Sequence, residues 1–164
     1  MKIQKSLGAI LLFLAATALF YACKGDEEID PNKRMNARIE GQAWNSNTVT
    51  GVKTGNNLVI TGISTADGQS IAVAFRAEVG EYNLILDSTS VQDNVVPSVV
   101  LRTAPVGGST LASNLCTPNV SGKINITAID TQNKTVSGTF EARVCGIGGS
   151  RQITEGKLNA VKYN

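Results

Sequence analysis

The sequence predicts an all-β protein, an antiparallel β-sandwich or partly open meander barrel in a single domain. Three observations carry that reading. Short alternating apolar runs recur at intervals of roughly 8–12 residues, as strands of such folds do. Turn-forming residues stand between the runs. Nothing places apolar side chains at the 3.6-residue helical spacing over three turns, so no long helix is expected.

The elements follow in order. Arg38-Ile39-Glu40-Gly41-Gln42-Ala43-Trp44 opens the domain. Thr54-Gly55-Asn56-Asn57 is a turn, after which Leu58, Ile60 and Gly62 share a strand face. Ala66-Asp67-Gly68 is the strongest hairpin signal, because Asp-Gly tolerates the positive φ angles of a tight turn. Ile71, Val73 and Phe75 alternate on the returning strand, Val79-Gly80 turns again, and Tyr82, Leu84 and Leu86 alternate next. Asp87 to Asn119 is rich in Ser, Thr, Asn, Pro and Gly, with a strand expected at Val99–Arg102 and a turn at Gly107-Gly108. Connections this long are uncommon unless functional or disordered. The region reads as a decorated connection pinned by Cys116, with a ligand or partner surface as the alternative. Ile124, Ile126 and Ala128 then form one face of a strand, and Asp130 to Lys134 turns it. Val136, Gly138, Phe140 and Ala142 return, Gly146-Ile147-Gly148-Gly149 loops, and Leu158 and Ala160 share a face of the last strand. Docking of that strand is expected to close the sheet.

The first 22 residues read differently. Lys2 and Lys5 precede an apolar run from Leu7 to Phe20, the parts of a secretory signal. A membrane span needs roughly 20 apolar residues, so this run falls on the signal side. Cys23, after Tyr21-Ala22, resembles the acylated first residue of bacterial lipoproteins, although aromatic Phe20 and Tyr21 stand where the lipobox prefers an aliphatic and a small residue. The expected organisation is a signal peptide over 1–22, a lipidated Cys23 with a flexible acidic tether over 23–35, and an all-β domain over 36–164. Twelve extended tether residues would reach roughly 40 Å.

Taking the 22-residue leader from 164 residues leaves 142, enough for one domain with a real core. Lys2 and Lys5 leave with it, so 15 basic residues become 13, balancing 13 acidic ones. No basic stripe exists, which argues against nucleic-acid binding. With Cys23 committed to lipid, Cys116 and Cys145 stand in a compartment that permits disulfides. A bridge between them is expected, with two free thiols as the alternative. Their separation does not suit a redox pair of the C-x-x-C kind.

The chain contains no histidine. That removes Ser–His–Asp and Cys–His activation and most transition-metal sites. Neither a metal nor a cofactor is expected. Acids such as Asp67 and Asp130 sit at turns for backbone reasons, and Glu141 reads as part of a solvated face. Asp87, Asp93 and Asn94 do not form a calcium-loop pattern, and no helix follows Gly146–Ser150 to make it a phosphate cradle. Catalysis is not expected. Asp87-Ser88-Thr89 resembles a short O-glycosylation motif of Bacteroidetes envelope proteins, which makes Ser88 a modification candidate. After the leader, five aromatics remain: Trp44, Phe75, Tyr82, Phe140 and Tyr163. Phe75, Tyr82 and Phe140 lie on apolar faces. Trp44 and Tyr163 are therefore the candidate stacking platforms for a sugar ring, with core packing as the competing reading for Trp44.

Gly41-Gln42-Ala43-Trp44, Val79-Gly80-Glu81-Tyr82, and Gly122-Lys123-Ile124-Asn125-Ile126-Thr127 followed by Val136-Ser137-Gly138-Thr139-Phe140 resemble a family of Bacteroidetes envelope lipoproteins of unknown function. The resemblance implies an all-β envelope domain and supplies no site residues. The acidic stretch after Cys23 also resembles that phylum's signal for export to the cell surface. The expected protein is a non-catalytic binding or accessory domain, lipid-anchored in the outer membrane and surface-exposed. Its partners would be the membrane, through the anchor, and a glycan or surface protein. The alternatives are a small hydrolase acting on glycans and a scaffold in a surface complex.

Overall fold

A computed structural model describes residues 28–84 and 95–164. The expected leader, Cys23 and Ser88 lie outside the described residues. The described chain is all-β, with its antiparallel sheet curled into a half-barrel.

Tight turns set up the first hairpins. β1 (Met35–Ile39) and β2 (Gln42–Asn45) pair across Glu40-Gly41, both at positive φ (53° and 79°), the mirror-type turn that matches strand twist. β3 (Thr48–Thr54) and β4 (Asn57–Ile63) pair across Gly55-Asn56. β4 also pairs β5 (Ser70–Arg76). The expected Asp-Gly hairpin is there, but of that dipeptide only Gly68 takes a positive φ. The loop runs from Thr65 to Gly68, closed by the Ser64 N–H donating to the Gln69 carbonyl at 2.9 Å.

β6 (Gly80–Asn83) then leaves its predecessor and pairs β9 (Gly122–Asp130). β7 (Ser98–Arg102), β8 (Thr110–Ala112), β10 (Thr135–Gly146) and β11 (Gly149–Lys162) complete the sheet. The main order is β2-β1-β11-β10-β8-β7-β5-β4-β3, with β9 and β6 branching from β10. The fork lies within β10, whose residues 135–142 pair β9 while Cys145 pairs Ala112 of β8. Beyond β11, Asn164 joins β3: the Lys53 N–H donates to its carbonyl and its own N–H donates to Gly51, both at 3.0 Å. The docking expected of the last strand is therefore present.

The core lies inside the curl. Leu58, Ile60, Ile71, Val73 and Phe75 from one limb meet Ile124, Phe140, Ala142 and Ile153 from the other, all essentially inaccessible. Most expected faces hold, and the departures have local causes. Ala128 is exposed because a bulge at the Ser137/Gly138 register step shifts the phase of β9, so Ile129 packs against the core instead. Ala160 is likewise exposed: it bulges out of β11 at φ 44°, and Val161 takes the inner position. β3 carried no recognisable apolar period because its inner position is Gly51. A side chain there would sit 2.7 Å from Ile60 Cδ1 and Tyr163 Cβ. Of the Asp87–Asn119 region, the described part contains β7, β8 and a 3₁₀ turn at Ser113–Leu115, with a cis Thr117-Pro118 bond. Through β7 and β8, eight of its residues belong to the sheet.

The folded part also begins earlier than the expected boundary at residue 36. Met35 is buried in β1. Asn45 binds the residues before it, accepting from the Asp30 N–H at 3.0 Å and donating to the Glu28 carbonyl at 3.3 Å. Asn36 donates to the Asp30 carbonyl at 3.0 Å, and Asn159 to Lys33 at 2.7 Å. Residues 28–34 are thus strapped across β1, β2 and β11, because three asparagine amides satisfy backbone groups that a free tether would give to water.

Candidate functional site

The two downstream cysteines meet. Cys116 and Cys145 form a disulfide with their Cα atoms 5.0 Å apart. The bond sits where β10 exchanges one partner for another, and it fastens the 3₁₀ turn beside that fork. The Arg143 N–H, at the same switch, donates to the Ser121 carbonyl at 3.0 Å. The bridge joins elements whose ladder is interrupted there, which is a structural task.

The structure corrects the expectation of aromatic stacking platforms. Trp44 is 2% exposed and Tyr163 6%. A platform must offer a ring face to solvent, and both rings are spent on the core. The Trp44 ring lies against Gly62, where an added Cβ would come within 2.8 Å of its Cη2. Tyr163 packs over Gly51. Glycines on β3 and β4 make room for these rings, and this long-range complement is invisible in the local pattern.

Trp44 nevertheless forms one wall of an open cleft of about 500 Å³, with Glu28, Asn45, Asn47, Ser64 and Asp67 among its other lining residues. The strap over β2 supplies Glu28, the β2–β3 connection Asn47, and the β4–β5 loop Ser64 and Asp67. Two contacts fix the rim: the Thr65 N–H donates to Asn47 Oδ1 at 2.8 Å, and the Gln69 N–H to Asp67 Oδ1 at 3.0 Å. Among the described residues, Asn47 Nδ2 and Asp67 Oδ2 carry no hydrogen bond, and the buried indole N–H of Trp44 has no partner. The cleft therefore offers an amide donor and a carboxylate acceptor, each on a side chain bonded to a neighbouring backbone N–H, which suits hydroxyl-rich ligands. Sequence reasoning passed over Asn45, Asn47 and Ser64. Isolated polar residues at strand ends look like ordinary turn chemistry until the sheet curls.

A second, smaller trough of about 210 Å³ crosses the outer face of β9, β10 and β11, lined by Lys123, Glu141, Glu155 and Lys157 among others. Glu155 reaches it from a bulge at φ 52° and pairs with Arg38 Nε at 3.3 Å. Lys123 pairs with Glu81 at 3.7 Å, and Arg76 with Glu78 at 3.0 Å. The alternating charges make a solvated, self-compensated surface.

Two ionisable groups at turns are perturbed. The backbone N–H of Asn133, then its side-chain amide, hold the exposed Asp130 carboxyl below its ordinary range. Desolvation, followed by the Glu78 charge, raises the Tyr82 phenol above its usual value. Neither residue lines the cleft or the trough. Among the described residues, no group of three or more His, Cys, Asp or Glu could hold a metal ion. No helix among them is long and apolar enough to cross a membrane.

The family described as a domain of unknown function, DUF6252, matches residues 32–162. No curated protein and no solved structure matches the chain.

Proposed function

The chain belongs to the DUF6252 family, a domain of unknown function, and on that premise we propose that it is a lipid-anchored envelope lipoprotein whose β-domain binds a glycan without acting on it chemically. The anchor reading is supported by the leader: Lys2 and Lys5, the apolar run from Leu7 to Phe20, and Cys23 at its end. An acylated cysteine bearing more than one chain would hold the domain stably at the membrane.

The binding reading is carried by the cleft beside Trp44. Its volume, about 500 Å³, falls within the rough 300–1,000 Å³ range of small-ligand sites. Its free polar atoms are an amide donor and a carboxylate acceptor, and neighbouring backbone bonds hold both residues in place. This pairing suits adjacent hydroxyls of a sugar.

A glycan array probed with the intact protein tests the reading, followed by titration of the best glycan against Asp67→Asn. That variant keeps Oδ1, which caps the loop, and replaces the free acceptor with a donor. Affinity is expected to fall about tenfold, the worth of one charge-assisted hydrogen bond, with the melting temperature unchanged. An empty array, or equal affinity of the variant, would sink the proposal.

A further inference from the structure

The strap over β2 has a consequence for how the domain sits on its anchor. Chain reach is limited to roughly 3.6 Å per residue. Were all residues from 24 to 35 free, the domain would hang roughly 40 Å from its lipid. The Glu28 carbonyl and the Asp30 N–H are instead both bound by Asn45. Five Cα steps separate Cys23 from Glu28, a short link that can reach roughly 18 Å at most.

Glu28 also marks which end of the half-barrel is so held. It lines the same cleft as Asp67 of the β4–β5 loop. The next residue, Gly68, abuts Pro105 of the β7–β8 loop, whose ring lies 2.5 Å from where a Cβ would be. Ser109 of that loop in turn abuts Gly148 at the β10–β11 tip. Three loops thus form a continuous rim beside the point where the strap ends. The rim carries the two most exposed large apolar side chains among the described residues, Val106 at 89% and Ile147 fully exposed. Arg102 lies at its base, bonded to the Pro105 carbonyl at 2.9 Å, and Arg151 lies beside the β10–β11 tip.

We propose that the β7–β8 and β10–β11 loops of this rim are the part laid against the phospholipid bilayer that holds Cys23, with Val106 and Ile147 at headgroup depth. The inference rests on the lipid-anchor reading and goes beyond it by assigning an orientation. Apolar tips set beside arginines suit an interface where acyl chains meet charged headgroups. Val79 is also exposed, at 62%, but it follows the far end of β5. That seven-residue strand spans roughly 23 Å, which puts Val79 at the end of β5 away from the rim and the strap. Charge on the rim is mixed, because Asp67 and Glu28 lie at its strap side, so the apolar tips and the link length decide the face.

The test uses the full lipidated protein in vesicles of phosphatidylcholine and phosphatidylglycerol with brominated acyl chains. Ile147→Trp and Val79→Trp are surface changes, and buried Trp44 supplies a baseline measured in the parent protein. Emission from position 147 is expected to be quenched at least twofold more than emission from position 79. Equal quenching at the two sites, or none at 147 in protein that floats with the vesicles, overturns the orientation alone. Protein that does not float with the vesicles, with Cys23 unmodified by mass spectrometry, overturns the anchor reading and the orientation with it.

Discussion

Tyr82 shows how a single side chain ties two limbs of the fold together. Its hydroxyl points at the Arg76 and Glu78 carbonyls, at 3.1 and 2.7 Å, and its ring lies 6.3 Å from that of Phe75. Burial, then the neighbouring Glu78 charge, disfavours the phenolate. The folded pKa is therefore above the unfolded value of about 10. Between the two values the unfolded chain holds fewer protons, so stability must fall as pH rises through that window and is fully present below it. Denaturant titrations from pH 8 upward are expected to show this loss in the parent and a shallower one in Tyr82→Phe. Identical slopes would show that the phenol does not couple to folding. Glycine packing acts at the same scale. A methyl at Gly156 would meet the Phe140 carbonyl oxygen at 2.5 Å and its ring at 2.6 Å, so the aromatic occupies the space a side chain would need.

At the scale of the element, β10 and β11 do most to set the architecture. β11 runs for 14 residues and stays paired only by bulging at Glu155 and Ala160. Ser137 stabilises the second bulge, its Oγ accepting from the Ala160 N–H at 3.0 Å. Each bulge adds local twist, and the accumulated twist curls the sheet. β10 meanwhile serves two partners on one edge, and the Cys116–Cys145 bridge closes the gap between them across a separation of 29 residues. Replacing both cysteines by serine is expected to cost about 3–4 kcal/mol in the chain-entropy account, read as a lower denaturation midpoint at constant m-value. A loss under about 1 kcal/mol would mean that the fork holds without its clasp.

At the scale of the molecule, the half-barrel is drawn together by Tyr163 and Asn164, which carry the end of β11 to β3. The buried Tyr163 ring makes this a packing contact as well as a hydrogen-bonded one. Tyr163→Ala is expected to destabilise the fold by about 3–5 kcal/mol, the usual cost of emptying an aromatic site in a core, while the folded fraction keeps its glycan affinity. A variant of normal stability that no longer binds would restore the stacking-platform role that burial argues against. The same closure places polar residues from the strap, the β2–β3 connection and the β4–β5 loop around one cleft, although they are remote in sequence.

The sequence by itself determined the all-β class, most strand faces and the hairpin turns, because side-chain alternation and glycine-bearing turns are local properties. It also marked Cys116 and Cys145 as a pair. Only the tertiary structure decided that β6 deserts β5 for β9, that bulges move Ile129 and Val161 inward, and that Trp44 and Tyr163 are walls of the core. The physical reason is common to all three. Alternation says which residues share a face, whereas partner choice, curvature and the space left by a distant Gly51 or Gly62 come from contacts between strands far apart in the chain.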